Sequence, residues 1–268
     1  MVAGDLCLKI WPSRIQTPIL ISVPHAGLRL PKGFIDRVSH PDILKLEDTD
    51  WGVANLLSFV PELGIPLQAA LYSRYVVDLN RPLPTEEPLY PGSDRIAGLI
   101  PLHTFDKQAI YREGCAPDEQ EISERIREYY VPYYQGIEDH LGRAHQYFGG
   151  SLLLDFHSIR PVVKAIRDEP FAHFNFSNRG GLTCPDQWLM KLGSLVESHG
   201  YSYSINDPFL GGNLTRRFGK PDQGRFSLQV EMNQEIYLDD ANKVCGEKLV
   251  KMRVVLEDLL NSLALELK

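Results

Sequence analysis

Three short apolar segments, each running into or containing an ionisable side chain, constrain the fold of this chain more than any other feature. They are Thr17–Val23 before His25, Ser151–Phe156 before His157, and Phe226–Met232, which contains Glu231. Short β-branched or apolar runs bounded by turn residues are typical of buried strands. Amphipathic helical patterns occur between and after them. The sequence therefore predicts an α/β fold with a mixed, largely parallel sheet.

The remaining segments complete this expectation. Acidic residues at 48 and 50 predict the cap of a helix over residues 51–60, and Pro132 predicts a kink in a long helix. The predicted elements are a strand over Pro66–Leu79, a proline-rich loop over residues 81–117, and helices over Glu119–Phe148, Cys184–Gly200 and Ala241–Leu267. No repeat or change of composition divides the chain, so we predict a single domain over residues 1–268.

Charge and cysteine usage exclude several classes of function. The chain has 35 acidic and 28 basic residues, a net charge of −7, which disfavours binding to nucleic acids or anionic membranes. Its apolar stretches fall well short of the roughly 20 residues that span a bilayer. The four cysteines form no C-x-x-C pair, so a cysteine zinc site is not expected. The first residues lack a basic start, and we expect a cytoplasmic protein with reduced thiols.

The side chains at the ends of the predicted strands suggest a metal site. In open α/β sheets, functional groups lie just beyond the carboxyl ends of the strands, where His25, His157 and Glu231 are expected. Two histidines and one carboxylate are the ligands of a catalytic zinc, and a further glutamate is the expected general base. Asp48 and Asp50 begin a predicted helix that can point the same way. On spacing alone, the competing interpretation is that each histidine is an ordinary core or surface side chain.

Arginines form a second group of candidates. Arg74 and Arg81 flank the segment YVVDLN, Arg160 follows His157 by three residues, and Arg216 follows a glycine pair. The planar guanidinium binds both oxygens of a carboxylate, so several arginines near a metal would suit a small dianionic substrate. The alternative is a set of surface salt bridges in an acidic chain.

Longer motifs are more specific than these spacings. In chain order they are SVPHAG (22–27), DTDW (48–51), SRYVVDLNRP (73–82), PLYPG (88–92), PLHTFDKQAIY (101–111), LLDFHSIR (153–160), GGNLTRRFGKP (211–221) and LQVEMNQEIYLDD (228–240). Over about residues 15–240 these segments resemble the N-formylglutamate amidohydrolase family, and SRYVVDLNRP is a near-verbatim match to that family's longest motif.

The resemblance implies a three-layer αβα fold of the zinc-carboxypeptidase and phosphorylase-hydrolase type. It also implies one divalent ion held by His25, an acidic residue and His157. Zinc is our first choice, although such a site also accepts iron, manganese or cobalt. Carboxypeptidase-type sites take a glutamate three residues after the first histidine, where this chain has Leu28. We therefore prefer Asp50 as the acidic ligand, with Asp48 and Glu47 as alternatives.

The resemblance also implies the reaction, which is hydrolysis of N-formyl-L-glutamate to formate and L-glutamate, as in histidine degradation. Glu231 is then the general base, and Arg74 or Arg81 stabilises the oxyanion. The residues expected to bind the substrate are Asn80, Arg81, Arg160, Arg216 and Asn213, the last standing where a tyrosine is expected.

Two alternatives to this function remain from the sequence. One is a hydrolase of another N-acyl amino acid or of a short peptide, which would differ only in the shape of the pocket. The other is a catalytically silent module that binds a ligand. The presence of His25, His157 and Glu231 argues against the silent module. In either enzyme the partner is a small molecule.

Overall fold

The computed structural model describes residues 8–11, 16–89, 98–239 and 242–267. In these residues a central sheet has seven strands in the order β1-β3-β2-β4-β7-β5-β6. The strands are β1 Leu8–Trp11, β2 Ile19–Val23, β3 Leu67–Ala70, β4 Ser151–Ile159, β5 Phe174–Ser177, β6 Tyr203–Ile205 and β7 Arg225–Asn233. Among the described strands, four neighbouring pairs are parallel and two, β1–β3 and β5–β7, are antiparallel. The mixed, largely parallel sheet is confirmed.

Helices cover both faces of this sheet. They are α1 Val53–Leu56, α2 Glu119–Arg125, α3 Val131–Phe148, α4 Asp186–Ser198, α5 Asn213–Phe218 and α6 Gly246–Glu266, with shorter 3₁₀ turns at Ile35–Arg37, Pro41–Lys45, Val60–Leu63, Pro221–Gln223 and Gln234–Ile236. Along β2, Ile19 and Ile21 pack into the cluster formed with α1, α4 and α6, whereas Leu20 packs into the cluster formed with α3 and α5. This alternation is the period of two of a strand. It confirms the three-layer architecture, while the single domain over residues 1–268 stays a prediction.

The predicted helix over residues 51–60 and its acidic cap are wrong. The helix α1 has only four residues and begins after Gly52. Gly52 has a left-handed backbone (φ 73°), and as a glycine it has no side chain to cap the helix. Asp48 instead accepts hydrogen bonds from the Tyr75 hydroxyl and the Phe105 N–H. Asp50 turns toward the two histidines. The acidic pair was placed correctly in the turn, but its oxygens serve tertiary contacts rather than a helix end.

The long helix that lies between β3 and β4 in the chain has an irregular turn. A π-helical turn, Ile126–Tyr130, joins α2 to α3 directly before Pro132. Proline lacks the N–H that an α-helix needs at this position, and the wider turn accommodates the missing hydrogen bond. The strand predicted over Pro66–Leu79 ends at Ala70, because the chain turns at residues 73–76. The strands β5 and β6 were not predicted, since four and three residues give little periodicity.

The described parts of the proline-rich segment form turns and isolated bridges, such as the one between His103 and Ala109. Most of the PLYPG motif lies outside the described residues, as does Asp240. Among the described residues, no helix is both long enough and apolar enough to cross a membrane.

Replacing Gly27 tests how closely the turn that carries His25 packs against the backbone of Tyr72. A Cβ at this position would overlap the backbone carbonyl of Tyr72, which cannot move as a side chain can. We expect Gly27→Ala to lower the free energy of unfolding by about 1–3 kcal/mol or more. Gly142→Ala is the matched control, because its helical Cβ would meet open space and should stabilise the protein by about 0.5–1 kcal/mol. Urea denaturation measures both, and equal stability of the two variants would contradict the argument.

Candidate functional site

The structure brings His25, Asp50 and His157 together at the carboxyl end of the sheet. His25 lies in the turn after β2, Asp50 precedes α1, and His157 lies within β4 rather than after it. The backbone N–H of Asp50 donates to the carbonyl of His25, which fixes the two turns against each other. The Nδ1 atoms of the histidines are 3.1 Å apart, and Asp50 Oδ2 lies 3.7 Å from His25 Nδ1 and 3.0 Å from His157 Nδ1. All three side chains are buried.

These three side chains fit a divalent ion. His25 Nε2 lies 2.7 Å from Asp78 Oδ1, and His157 Nε2 lies 3.0 Å from Asp155 Oδ2. With each Nε2–H donating to a carboxylate, the Nδ1 lone pairs face the gap shared with Asp50, as in carboxylate–histidine–metal arrangements. Ligand atoms about 2.0–2.2 Å from one tetrahedral ion are about 3.3–3.6 Å apart, close to the observed spacing. Three protein ligands leave a position for water.

The surroundings shift the pKa values of His25 and His157 in opposite directions. Burial, and then the positive charge of Arg74, lower the pKa of His25 despite its contact with Asp78. Burial alone would also lower the pKa of His157, but the carboxylates of Asp155 and Asp50 outweigh it and hold this pKa well above its usual value. His157 is therefore the more basic of the two imidazoles.

Arg74 and Asp78 form a buried ion pair beside His25, with Arg74 Nη2 and Asp78 Oδ2 2.5 Å apart. Burial opposes the charge of each group, yet the attraction of the partner lowers the pKa of Asp78 and raises that of Arg74, so both stay charged. The Arg74 guanidinium also lies 4.8 Å from the centre of the Phe105 ring. Arg74 is thus a fixed cation at the wall of the site.

Glu231 lies on β7, opposite His157 of the neighbouring strand. It is buried, and burial, together with the nearby charge of Asp50, raises its pKa to about 8 although His157 and Arg74 act in the other direction. Gln229 Nε2 approaches Glu231 Oε2 at 3.4 Å, while Gln229 Oε1 accepts the N–H of Gly212. A buried carboxylate of raised pKa beside a metal-binding cluster has the properties of a general base.

These groups line one cavity of about 140 Å³. The lining combines the candidate ligands, Glu231 and the arginines with apolar side chains such as Ile159 and Phe209. The lining residues are His25, Asp50, Arg74, Asn80, Arg81, Phe105, His157, Ser158, Ile159, Ile166, Phe209, Gly211, Gly212, Gln229 and Glu231. A mostly formed pocket with a few convergent polar groups is the expected shape of a small-molecule site.

Arg81 and Asn80 both line this cavity but differ in their partners. Within the described residues, the Arg81 guanidinium has no carboxylate or hydrogen-bond acceptor in contact, so it is available to a ligand. Asn80 is already engaged by the protein: its Nδ2 donates to Asp155 Oδ2 at 3.1 Å, and its Oδ1 accepts the N–H of Leu214. The structure thus places Asn80 as a partner of the carboxylate behind His157.

The structure does not bring Arg160, Arg216 or Asn213 into the cavity lining. Arg160 pairs with Asp106 at 2.9 Å and lies near Glu47 and Asp48. Arg216 donates to the backbone carbonyls of residues 87 and 88 and to Asn213. The Asn213 amide donates to the hydroxyls of Tyr130 and Tyr134. The contact of these three side chains with substrate stays a prediction, while the structure shows their contacts with protein groups.

Sequence reasoning missed the residues behind the ligands. Asp78 and Asp155 each stand two residues before a predicted site residue, and an acidic residue inside the apolar run SLLLDF was the signal for Asp155. Gln229 stands two residues before Glu231 and therefore shares its face of the strand. Phe105 lies in the proline-rich segment, where spacing gives no indication of what it contacts.

Comparison with known proteins identifies one family of similar proteins. The family model described as N-formylglutamate amidohydrolase matches residues 17–238. N-formylglutamate deformylase of Pseudomonas aeruginosa is 38% identical over 253 residues, covering 93% of this chain and 94% of that protein. The Pseudomonas putida protein of the same name is 36% identical, covering 92% of each. The crystal structure of N-formylglutamate amidohydrolase from Ralstonia eutropha JMP134 has a TM-score of 0.83 at 26% identity, with 98% of each chain covered.

The acidic ligand can be identified by comparing two aspartates. Asp50 meets both histidines, whereas Asp48 holds Tyr75 and Phe105. We expect Asp50→Asn to weaken zinc binding by more than the roughly 10–100-fold that loss of an outer partner costs. Asp48→Asn should change zinc affinity little and lower the free energy of unfolding by about 1–3 kcal/mol. Chelator competition measures the affinity, and the opposite ranking would assign the ligand to Asp48.

Proposed function

The chain belongs to the N-formylglutamate amidohydrolase family, and from this premise we propose that it hydrolyses N-formyl-L-glutamate to formate and L-glutamate. The observation that carries the proposal is the meeting of a His-Asp-His cluster, Glu231 and two arginines in one cavity. The two bacterial relatives over 35% identical carry the name of this activity. Together they favour an amide hydrolase over a silent binding module.

We propose that His25, Asp50 and His157 hold one divalent ion, with zinc as the first candidate. When bound there, such an ion activates water and polarises a carbonyl. The donor set of two imidazoles and one carboxylate suits zinc, and the two carboxylates behind the histidines fix the ring orientations.

Glu231 moves the proton in this proposal. The carboxylate takes a proton from the attacking water as the oxygen adds to the formyl carbon. It then delivers that proton to the amide nitrogen as the C–N bond breaks, releasing glutamate as the amine and formate as the acid. Burial suits both roles, because a carboxyl group of raised pKa is a better base and holds its proton longer.

The two arginines of the cavity have different tasks. Arg74 is fixed by Asp78 and by the Phe105 ring, so it is preorganised to stabilise negative charge developing on the formyl oxygen. Arg81, whose guanidinium contacts no acceptor among the described residues, would bind a carboxylate of the substrate with two N–H groups. The apolar side chains of Ile159 and Phe209 would contact the methylene groups of the glutamyl chain.

Replacing Glu231 tests the proton transfer. Glu231→Gln keeps the shape of the side chain and removes its basicity, so kcat should fall by about 10²–10⁴-fold while zinc affinity stays near that of the wild type. In the wild type, activity should fall on acidification, since only the deprotonated carboxylate is a base. Formate release and zinc titration measure the two properties. A near-normal kcat in the variant would remove Glu231 from the mechanism.

Replacing Arg81 tests the recognition of charge. Arg81→Lys keeps the charge but loses the two-point geometry, so kcat/KM for N-formylglutamate should fall clearly. Truncation should cost about 2–5 kcal/mol, because the substrate carboxylate is left unpaired. Arg217→Lys is the matched control, since Arg217 pairs with Glu86 outside the cavity.

The second substrate to compare is N-formylglutamine, which lacks the side-chain carboxylate. It should be hydrolysed with a much lower kcat/KM than N-formylglutamate. Equal values for the two compounds would contradict glutamate specificity and leave a general N-acyl amino acid hydrolase.

A further inference from the structure

Asp155 is a carboxylate completely enclosed by protein, in the middle of an otherwise apolar strand. It is 0% exposed, and its neighbours in β4 are leucine and phenylalanine. Burying a charge without partners is costly, so each of its oxygens needs donors. Asp155 Oδ2 receives the N–H groups of His157 and Asn80, both of which belong to the site already described. The partner of the other oxygen lies outside that site.

That partner is Ser22, on the neighbouring strand β2. Ser22 Oγ lies 3.1 Å from Asp155 Oδ1 and 2.9 Å from the hydroxyl of Tyr133. A carboxylate can only accept, so the Ser22 hydroxyl donates to Asp155 and accepts the Tyr133 hydroxyl proton. Ser22 is a polar residue in the apolar run ILISV, and it is also 0% exposed. The hydrogen bonds thus link Tyr133 through Ser22 to Asp155 Oδ1, while the other oxygen of this carboxylate accepts the N–H of His157.

The helix α3 is shaped to bring Tyr133 to this point. The π-helical turn Ile126–Tyr130 inserts one residue, which rotates the following side chains by about 100° relative to a continuous α-helix. Gly136, one turn after Tyr133, allows close approach, because a Cβ there would overlap the side-chain oxygen of Gln68. Gln68 in turn donates to the carbonyl of Tyr133 at 2.8 Å. Tyr133 is completely buried.

We propose that Ser22 and Tyr133 are positioning residues for the metal site, which they control through Asp155. By holding Oδ1, they fix the rotation of the carboxylate whose Oδ2 orients the His157 ring. Without them, Asp155 can turn, the Nε2–H of His157 loses its acceptor, and Nδ1 no longer points at the position shared with His25 and Asp50. The inference rests on the proposed metal site, but it assigns a role in that site to a strand and a helix that do not contact the ion.

A purely structural role predicts a different result. If the two hydroxyls only satisfy buried polar groups, their removal lowers the free energy of unfolding and leaves the affinity of the folded protein for zinc unchanged. If they position His157, zinc affinity falls in protein that is fully folded. The affinity of metal-free protein for zinc, measured by chelator competition, distinguishes the two and needs no assay of activity.

The experiment compares Ser22→Ala, Tyr133→Phe and the double variant. We expect Ser22→Ala to weaken zinc binding about tenfold, the lower end of the range for outer partners of a metal ligand, and Tyr133→Phe to weaken it less. Because Tyr133 acts through Ser22, adding Tyr133→Phe to Ser22→Ala should change the zinc affinity no further. Tyr111→Phe is the matched control, since it removes another buried tyrosine hydroxyl, which donates to the carbonyl of Tyr75 and accepts from Arg125.

The outcomes separate this inference from the proposed function. Wild-type zinc affinity retained in folded Ser22→Ala and Tyr133→Phe would overturn the positioning role and leave the metal site intact. Additive losses in the double variant would show that Tyr133 does not act through Ser22 and would overturn this link. A wild-type protein that binds no zinc, cobalt or manganese would overturn both the metal site and this inference.

Discussion

The burial of two carboxylates beneath two imidazoles is the constraint on which the rest of the structure depends. Asp78 and Asp155 are at most 2% exposed, and each faces the Nε2 of one candidate ligand. A buried charge is tolerated only when it is paired and hydrogen-bonded. Asp78 is paired with Arg74, and Asp155 accepts hydrogen bonds from Ser22 and Asn80. The ligands therefore cannot be placed without the surrounding fold.

This requirement joins segments that are far apart in the sequence. Asp78 ties the loop after β3 to the end of β2 through His25, and Asn80 of the same loop reaches both β4, through Asp155, and the start of α5, through Leu214. The Tyr130 and Tyr134 hydroxyls donate to the carbonyls of residues 81 and 79, so the π-helical turn and α3 hold this loop as well. The motif SRYVVDLNRP is therefore dense in polar contacts because it connects the elements that form the site.

The sequence predicted well which residues at the strand ends come together. It predicted poorly which residues surround them. His25, His157 and Glu231 could be grouped because parallel strands bring their carboxyl ends to one edge of a sheet. Asp50 needed the family resemblance, since its turn gives no periodicity. Arg160 and Arg216 were expected in the cavity on chemical type alone, but the partners that hold them, Asp106 and a backbone carbonyl, become neighbours only in the folded chain. The same holds for the short strands β5 and β6, whose pairing depends on tertiary context.

The contrast between Arg74 and Arg81 shows how one cavity can use the same residue type in two ways. Arg74 forms an ion pair with Asp78, and this pairing fixes its position before any ligand arrives. A fixed cation is effective where charge develops during a reaction, because no reorganisation is needed at that moment. Arg81 is half-buried and faces the cavity without a carboxylate among the described residues, so its attraction is available to an anion that arrives already charged. A substrate that carries a carboxylate and gains negative charge during hydrolysis would need both.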